Sequence, residues 1–295
     1  MSGAGPDGRD GVSVVTATVG RRDALLAKLD ALMAQTLERS RWEWLVAFDG
    51  GHEGLERDLH DAAGDAIDLR TVTTSGDGPG PARDAAARLA RFPLLLLSDD
   101  DCLPHPEALE RHLEAQGVPC VAIGTVVFAA AGEETIVQPP ARPGWWNLAG
   151  ANTSLPTDVF RAVGGFGNVT EGYGGEDLWL GWRLHRAGLP FRPAPQARVR
   201  HLGPDPQRSG DRRKAYQAGL NAVRLARRER ALAWRLGVHP AMLLAKALVL
   251  AVPWPGFDAA RRDYEREYAR GARHAWAGRD PGAVREASRA REDER

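Results

Sequence analysis

The sequence "LLLLSDDDCLPHP" spans residues 94–106 and joins an uninterrupted apolar run to a cluster of negative charge. The run of leucines predicts a strand that is buried on both faces, as in a parallel sheet covered by helices. Three aspartates, Asp99 to Asp101, follow at the end of this strand. Two carboxylates about 4 Å apart repel each other by roughly 4 kcal/mol at an effective dielectric near 20, so without a cation nearby one of them would tend to hold a proton.

Two interpretations of the aspartate cluster remain open on local sequence. A hard divalent cation such as Mg²⁺ or Mn²⁺ would neutralise it, because such ions prefer oxygen ligands. Alternatively, one aspartate caps the helix that residues 104–116 predict, and the others are solvated. An EF-hand calcium loop that starts at Asp99 is excluded, because Leu103 and Pro104 stand where an oxygen ligand and a glycine are required.

Three upstream segments complete the predicted sheet. Residues 12–19, 42–51 and 67–74 are strand-like and alternate with helical patterns. This alternation predicts a mostly parallel, doubly wound α/β sheet with helices on both faces. Ligands bind such sheets at the carboxyl ends of the strands. Asp49, the glycine-rich loop 75–81 and the aspartate cluster all follow strands, which predicts one shared crevice.

Composition and charge limit the possible partners and divide the chain. The 295 residues contain 39 basic and 39 acidic side chains, so an electrostatic attraction to nucleic acid is not expected. Two cysteines are too few for a disulfide framework or a zinc site and are typical of a cytoplasmic protein. We predict a disordered tail over 1–10, a catalytic domain over 11–205 and a helical extension over 206–295.

Five motifs stand in a fixed order along the chain. They are "GPGPARDAAARLA" (78–90), "LLLLSDDDCLPHPEAL" (94–109), "GANTSLPTDVFRAVGGF" (150–166), "GYGGEDLWLGWRL" (172–184) and "RVRHLG" (198–203). Together they resemble a family 2 glycosyltransferase of the GT-A fold, and the resemblance covers about residues 12–203. It implies metal-dependent, inverting transfer of a sugar from a nucleotide diphosphate-sugar, most commonly a UDP-sugar. The acceptor would be a hydroxyl on a glycan, a lipid-linked glycan or a small molecule.

The resemblance implies a donor and metal site at the strand ends. The aspartate cluster matches the DxD motif of the family, so Mn²⁺ or Mg²⁺ is the expected cofactor. Each position also has an ordinary structural explanation, such as a turn aspartate at 49 or a solvated helix-start arginine at 83. The expected donor contacts are Thr16, Thr18, Asp49, Arg83, Asp99 and Asp100, and the expected metal ligands are Asp101, Asp99 and His201.

The resemblance also implies an acceptor side. In "GGED", Asp177 is the expected general base, with Glu176 orienting the acceptor or acting as the second candidate base. Acidic residues in a first helical turn also simply favour the helix dipole, and tryptophans at helical spacing also serve as core residues. A family branch with a similar loop retains configuration, so retention is the other stereochemical outcome. The expected acceptor contacts are Trp145, Trp146, Asn152, Gly174, Gly175 and Trp179.

Two alternative functions fit these motifs less well. A sugar nucleotidyltransferase usually carries an N-terminal glycine-rich loop, whereas "TATVGRR" (16–22) contains only Gly20. A non-catalytic sugar-binding module would be favoured by loss of the DxD motif or the base, and both are present. In the family, a proline, an aromatic residue and an asparagine usually follow the first strand. Ala17 and the pair Val19-Gly20 replace them here, which leaves the nucleotide open.

Residues 224–254 combine arginines with an apolar helix. One interpretation is a peripheral contact with anionic lipid at the inner face of the cell membrane. The other is a helical cap that packs its apolar face on the catalytic domain. The short apolar stretch and the neutral total charge favour the cap.

Overall fold

The computed structural model describes residues 10–130, 133–172, 174–203, 211–251 and 259–279. Apart from Asp10, the predicted N-terminal tail lies outside these residues, as does the part of the predicted helical extension beyond residue 279. The chain divides into two compact units. The first comprises Met1–Asn168 and Glu176–Pro204, and the second comprises Val169–Gly175 and Asp205–Arg295.

A nine-stranded sheet forms the centre of the first unit, within the described residues. The strands are β1 (Val12–Thr18), β2 (Trp42–Asp49), β3 (Leu69–Thr74), β4 (Leu94–Leu97), β5 (Cys102–Pro104), β6 (Val121–Ala130), β7 (Glu133–Val137), β8 (Thr153–Pro156) and β9 (Phe191–Leu202). Their order in the sheet is β3-β2-β1-β4-β8-β6-β9-β5, with β7 paired to β6. β1 pairs in parallel with β2 and β4, and β2 pairs in parallel with β3, whereas β8 is antiparallel to both β4 and β6.

Helices cover both faces of this sheet, and β4 is buried between them. The helices are α1 (Arg22–Met33), α2 (Glu53–Ala63), α3 (Pro79–Arg88), α4 (Ala108–Glu114), α5 (Thr157–Ala162) and α6 (Glu176–Arg186). Leu95 and Leu97 face one hydrophobic core, which α3, α5 and α6 complete. Leu94 and Leu96 face the other core, which α1, α2 and α4 complete. The two-faced burial predicted for the leucine run is therefore confirmed.

Strand register places the polar motifs at one edge of the sheet. β1 and β4 run in parallel with Val15 opposite Leu97, so the chain that follows each strand emerges on the same side. β5 runs antiparallel to β9 and pairs Cys102 with His201. This pairing brings a histidine one hundred residues downstream next to the aspartate cluster.

The second unit is helical. Its helices are α7 (Arg212–Arg228), α8 (Ala231–Arg235), α9 (Pro240–Ala251) and α10 (Ala259–Trp276). The Asp211 side chain caps α7 by accepting from the backbone N–H groups of Arg213 and Lys214, at 2.9 and 3.2 Å. α7 and α10 approach closely because each has a glycine at the contact. A side chain at Gly219 or Gly271 would clash with the backbone of the opposite helix.

Candidate active site

Arg21 supplies one of the cations that the aspartate cluster requires. Its guanidinium pairs with Asp100 and donates from Nη1 to Oδ2 of Asp101 at 2.6 Å. Asp100 also accepts from the Thr18 hydroxyl at 2.7 Å. Burial raises the pKa of Asp100 above its ordinary value, although the hydrogen bonds from Thr18 and Arg21 oppose this rise. Arg21 keeps 51% of its side-chain surface exposed, so it neutralises the cluster from the solvent side.

Lys28 neutralises the same turn from the interior. It is completely buried on α1, and its Nζ donates to Ser98 Oγ at 2.6 Å and to the carbonyls of Asp99 and Cys102 at 2.8 and 2.9 Å. An ammonium group suits this position because it is compact and offers three donors. Burial lowers the pKa of Lys28 to about 8, while nearby acidic groups oppose the shift. Lys28 therefore holds the backbone that presents the aspartates.

Sequence reasoning missed Lys28, although a compositional signal was available. Lysine occurs at only three positions, 28, 214 and 246, among 39 basic residues. In a chain that uses arginine almost everywhere, a lysine within the apolar stripe of a helix is such a signal, because a compact ammonium and a planar guanidinium are not interchangeable.

We expect Lys28→Met to weaken binding of Mn²⁺ with a nucleoside diphosphate by about 10- to 100-fold, the usual effect of losing a group that orients metal ligands. The substitution conserves volume but leaves three oxygens of the turn without their donor. Titration calorimetry measures the affinity, and circular dichroism checks that the variant is folded. Lys246→Met serves as the control, because Lys246 pairs with Glu265 in the second unit. Unchanged affinity in a folded Lys28→Met protein would contradict the assigned role.

Arg83 connects the aspartate cluster with the acidic start of α6. It is 5% exposed, and its Nη2 pairs with Oδ1 of Asp99. Its Nη1 lies 3.7 Å from both Glu176 Oε1 and Asp177 Oδ1. Burial alone would raise the pKa of Asp99, but Arg83 holds it below its ordinary value. One buried guanidinium is therefore shared by three carboxylates.

Gly150 allows this arrangement by leaving room for Arg83. A Cβ at residue 150 would lie 2.6 Å from Nη2 of Arg83, closer than carbon and nitrogen approach. The backbone N–H of Gly150 also donates to Asp177 Oδ2 at 2.9 Å. The same residue therefore accommodates the guanidinium and orients the carboxylate.

Asp177 has a perturbed acidity. Burial raises its pKa to about 7; Arg83 opposes this shift, whereas Glu176 and Asp99 add to it. Oδ2 is held by Gly150, whereas Oδ1 is buried and has no hydrogen-bond partner within the described part of the chain. A carboxylate with one oxygen held by a hydrogen bond and one oxygen that accepts none, half ionised near neutral pH, is suited to accept a proton.

The predicted tryptophans differ in their environment. Trp145 is 3% exposed and packs edge-on against Trp182, with 5.3 Å between ring centroids. Gly181 makes this contact possible, since a side chain there would clash with the carbonyl of Trp145. Trp146 is 57% exposed, and Trp179 is partly buried below the guanidinium of Arg183 at 5.8 Å. Trp146 and Trp179 thus remain accessible, and Trp145 belongs to the packing between its turn and α6.

The glycines that precede α6 belong to the second unit. Gly174 and Gly175 have φ angles of 87° and 103°, which only glycine adopts readily. Asn221 of α7 holds this segment by donating from Nδ2 to the carbonyls of Glu171 and Gly174, at 2.9 and 2.6 Å. Asn221 was not predicted. A single amide within the buried stripe of an amphipathic helix was the signal that could have identified it.

The structure does not bring Thr16 or Asn152 into the crevice. The Thr16 hydroxyl is buried in the sheet, where it donates to the Ser98 carbonyl at 2.9 Å and accepts from Trp44 at 3.0 Å. The Asn152 amide bonds to His112 at 2.7 Å and to two backbone carbonyls of the sheet. Burial lowers the pKa of His112 to about 4, so this contact is made by a neutral imidazole.

Asp49 lies at the predicted strand end but uses its carboxylate locally. It accepts from the Thr74 hydroxyl at 2.7 Å and from the backbone N–H groups of Gly76 and Gly78 at 3.1 and 2.9 Å. These bonds shape the loop that leads into α3. These contacts match the turn role that its local sequence also allowed, and the role of Asp49 as a donor contact stays a prediction.

The residues around His201 fit a divalent cation. His201 Nε2 lies 3.4 Å from Asp101 Oδ1, and its buried Nδ1 has no hydrogen-bond partner among the described residues. Ligand atoms of Asp101, Cys102 and His201 lie within 4.8 Å of one another. Burial raises the pKa of Cys102 well above its ordinary value, so its sulfur is a neutral thiol. Oxygen from Asp101 and nitrogen from His201 are therefore the better donors.

Unpaired buried polar atoms concentrate in this region. Buried polar atoms are nearly always hydrogen-bonded, so each exception calls for an explanation. Eight such side-chain atoms occur in the described ranges, and seven of them belong to residues predicted for the site. These residues are Arg83, which contributes two atoms, Trp145, Glu176, Asp177, Trp179 and His201. The concentration indicates a site that is completed by a ligand.

Two curated proteins are similar to this chain in sequence. The chain is 29% identical to validoxylamine A glucosyltransferase of Streptomyces hygroscopicus subsp. limoneus over 61% of its own length and 49% of that protein. It is 28% identical to the protein of the same name from S. hygroscopicus subsp. jinggangensis, over 61% of its own length and 52% of that protein. The chain spans about half the length of these curated relatives.

Solved structures show the same fold. A mannosyltransferase from Pyrobaculum calidifontis, in complex with GDP-Man and Mn²⁺, superposes with a TM-score of 0.64 at 17% identity, over 92% of this chain and 88% of that one. The structure of S. aureus TarS 1–349 in complex with UDP superposes with a TM-score of 0.60 at 14% identity, over 91% of this chain and 92% of that one. These similarities confirm the predicted GT-A fold.

Two family models match the chain, between residues 13 and 203. The family described as N-terminal domain of galactosyltransferase matches residues 136–203. The family described as Glycosyl transferase family 2 matches residues 13–167, which is more than half of the chain. The predicted family is therefore confirmed: this protein belongs to glycosyl transferase family 2.

Proposed function

We propose that this protein transfers a sugar from a nucleoside diphosphate-sugar, foremost a UDP-sugar, to a hydroxyl acceptor with inversion at the anomeric carbon. The observation that carries the proposal is a set of buried polar atoms that make no hydrogen bond within the described residues. They belong to Arg83, Glu176, Asp177 and His201. Cationic groups suited to the charged diphosphate of the donor and acidic groups suited to the hydroxyl of the acceptor occur together there.

Asp177 is the proposed general base. Its Oδ1 receives the proton of the attacking hydroxyl, while Gly150 holds Oδ2 in place. A base with a pKa near 7 is half deprotonated at neutral pH and still basic enough to drive the transfer. Glu176, whose Oε2 is also unpaired, orients the acceptor beside it.

Arg83 is the proposed contact for the diphosphate. Its Nε and Nη1 are buried and have no hydrogen-bond partner within the described residues. Nη1 lies 3.7 Å from Glu176 and Asp177, so Nε is the donor proposed for a phosphate oxygen. Arginine recognises phosphate through paired N–H donors. Its existing pair with Asp99 and its position near Asp177 fix the guanidinium between the donor and acceptor sides.

Asp101, Asp99 and His201 would hold Mn²⁺ or Mg²⁺. The bound cation would neutralise the charge of the departing nucleoside diphosphate. Arg21 occupies Oδ2 of Asp101 from the solvent side and would compete with the cation for this oxygen.

The proposed acceptor is a sugar hydroxyl of a glycan, a lipid-linked glycan or a small molecule. Trp146 and Trp179 offer aromatic faces near α6, and such faces stack well on sugar rings. The curated relatives are named for a small-molecule acceptor, validoxylamine A, which supports the small-molecule option.

Calorimetric titration with UDP and GDP tests the donor and metal assignments together. We expect UDP to bind in the presence of Mn²⁺ and binding to be lost in EDTA. Asp101→Asn is expected to weaken binding by about 10- to 100-fold. Asp158→Asn, at an exposed position of α5, is the matched control. Equal affinity with and without a divalent cation would exclude the metal site, and a retained anomeric configuration in the product would exclude inversion.

A further inference from the structure

Helix α9 in the second unit exposes an apolar face. Its sequence, "PAMLLAKALVLA", contains a single polar side chain, Lys246, which pairs with Glu265 at 2.8 Å. Leu244 and Leu248, one turn apart, are 71% and 74% exposed. Leu243 and Leu250 are buried, so the helix packs through one side and presents the other. A contiguous apolar surface of this kind marks an interaction site.

Two tryptophans, one in α8 and one at the end of α10, contact the turn before α9. Trp234 is 55% exposed and stacks on His239 with 3.8 Å between ring centroids. Trp276 is 37% exposed and donates from Nε1 to the carbonyl of Val238 at 2.7 Å. Its ring also contacts the guanidinium of Arg227 at 5.5 Å. Tryptophan is enriched where protein meets the headgroup layer of a membrane.

The charge of this region is strongly biased. Residues 224–251 contain five arginines and one lysine but a single acidic residue, Glu229. The whole chain has no formal net charge, so the excess is local. Arg228 and Arg230 are exposed directly before α8. Basic residues beside an apolar helix complement anionic lipid headgroups, which attract each Lys or Arg near the surface by about 1 kcal/mol.

The geometry favours lying on a bilayer over spanning it. Ala231–Ala251 is long and apolar enough to cross a membrane, with a mean hydropathy of 1.2. However, α8 ends at Arg235, Gly237 has a φ of 68°, and α9 starts only at Pro240. A helix of 12 residues is about 18 Å long, shorter than the roughly 30 Å hydrocarbon core. Burial of Leu243 and Leu250 also commits one side of α9 to protein packing.

We propose that the exposed face of α9, together with Trp234 and Trp276, docks on an anionic phospholipid bilayer. Leu244 and Leu248 insert at the boundary between headgroups and acyl chains, and the tryptophans lie at headgroup level. The arginines before α8 contact the lipid phosphates. This arrangement is that of an interfacial amphipathic helix, whose affinity depends on buried apolar area and on anionic lipid.

Vesicle flotation with the full chain tests this proposal. We expect binding to phosphatidylcholine vesicles that contain about 30% phosphatidylglycerol, and at least about tenfold weaker binding to pure phosphatidylcholine. Leu244→Ser with Leu248→Ser is expected to weaken binding to the anionic vesicles by at least about tenfold. Both side chains are mostly exposed, so the double variant should fold, which circular dichroism checks.

Val118→Ser with Ile136→Ser is the matched control, because these side chains are 49% and 51% exposed in the first unit. This control should bind anionic vesicles like the wild type. Equal binding of the Leu244/Leu248 variant and the wild type would overturn the proposal, as would absence of binding in both. A concentration-dependent dimer that the leucine substitutions disperse, without vesicle binding, would instead assign the face to a second copy of the chain.

Discussion

Asp177→Asn is expected to lower the turnover number by about 10²- to 10⁴-fold, the range that a general base contributes. Asparagine can still accept from Gly150, which donates to Oδ2 at 2.9 Å, so the local geometry is retained. It cannot take a proton from the acceptor at Oδ1. Affinity for the donor and the metal should therefore remain near the wild-type value, and the loss should appear in the turnover number. Steady-state transfer assays together with calorimetry measure both quantities.

The pH dependence separates Asp177 from its neighbour. Burial raises the pKa of Asp177 to about 7, so the active carboxylate forms as the pH rises through that value. Wild-type activity should therefore fall as the pH drops below about 7. Glu176→Gln is the matched control and should keep this limb with a smaller loss of activity, but shifted to lower pH, because the charge of Glu176 adds to the rise in the pKa of Asp177. If Glu176→Gln removes the limb and Asp177→Asn does not, Glu176 is the base.

Arg83→Met is expected to abolish measurable transfer and to destabilise the protein. The substitution leaves Asp99, Glu176 and Asp177 without their shared cation. Breaking a buried ion pair by removing one partner typically costs about 3 to 5 kcal/mol. We expect a decrease of about 3 kcal/mol in the free energy of unfolding at pH 8. Chemical denaturation followed by fluorescence measures the change.

The loss in Arg83→Met should depend on pH in a defined direction. In the wild type, Arg83 holds the pKa of Asp99 low, so this carboxylate contributes stability above its unfolded pKa of about 4 and loses that contribution on acidification. Without Arg83 this contribution disappears, and the buried carboxylates are destabilising once they ionise. The stability difference should therefore be larger at pH 8 than at pH 5.

Two matched substitutions control for this experiment. Arg83→Lys keeps the charge but cannot reach both Asp99 and the acidic start of α6, so intermediate activity and stability are expected. Arg88→Met removes an exposed arginine from the same helix and should change neither. A fully active and stable Arg83→Met protein would show that the guanidinium does not connect the two acidic groups.

Much of the fold followed from local patterns. The leucines of 94–97 predicted a strand buried on both faces because a sheet covered by helices on both sides buries consecutive apolar side chains. The order of strand-end motifs predicted the family, which the comparisons confirm. These features are readable because each depends on neighbours in sequence.

The cations around the aspartates were not readable in the same way. Arg21 and Lys28 come from the loop after β1 and from α1, about seventy to eighty residues away from the aspartates they contact. Nothing near residues 99–101 indicates them. Similarly, Thr16 and Asn152 match family positions, but their polar atoms bond within the sheet. Which side chains face the crevice depends on register and packing, and these are properties of the assembled sheet.

The amino-acid sequence alone determined that apolar strands end in polar residues, that these ends share one edge, and that a carboxylate pair begins a helix after a glycine-rich segment. Only the tertiary structure decided that Arg83 lies between Asp99 and Asp177 and that Asp177 has a pKa near 7. The reason is physical. Sequence periodicity reports which side chains are apolar, whereas the acidity of a carboxylate depends on burial and on charges within a few ångströms, which the fold brings together from distant parts of the chain.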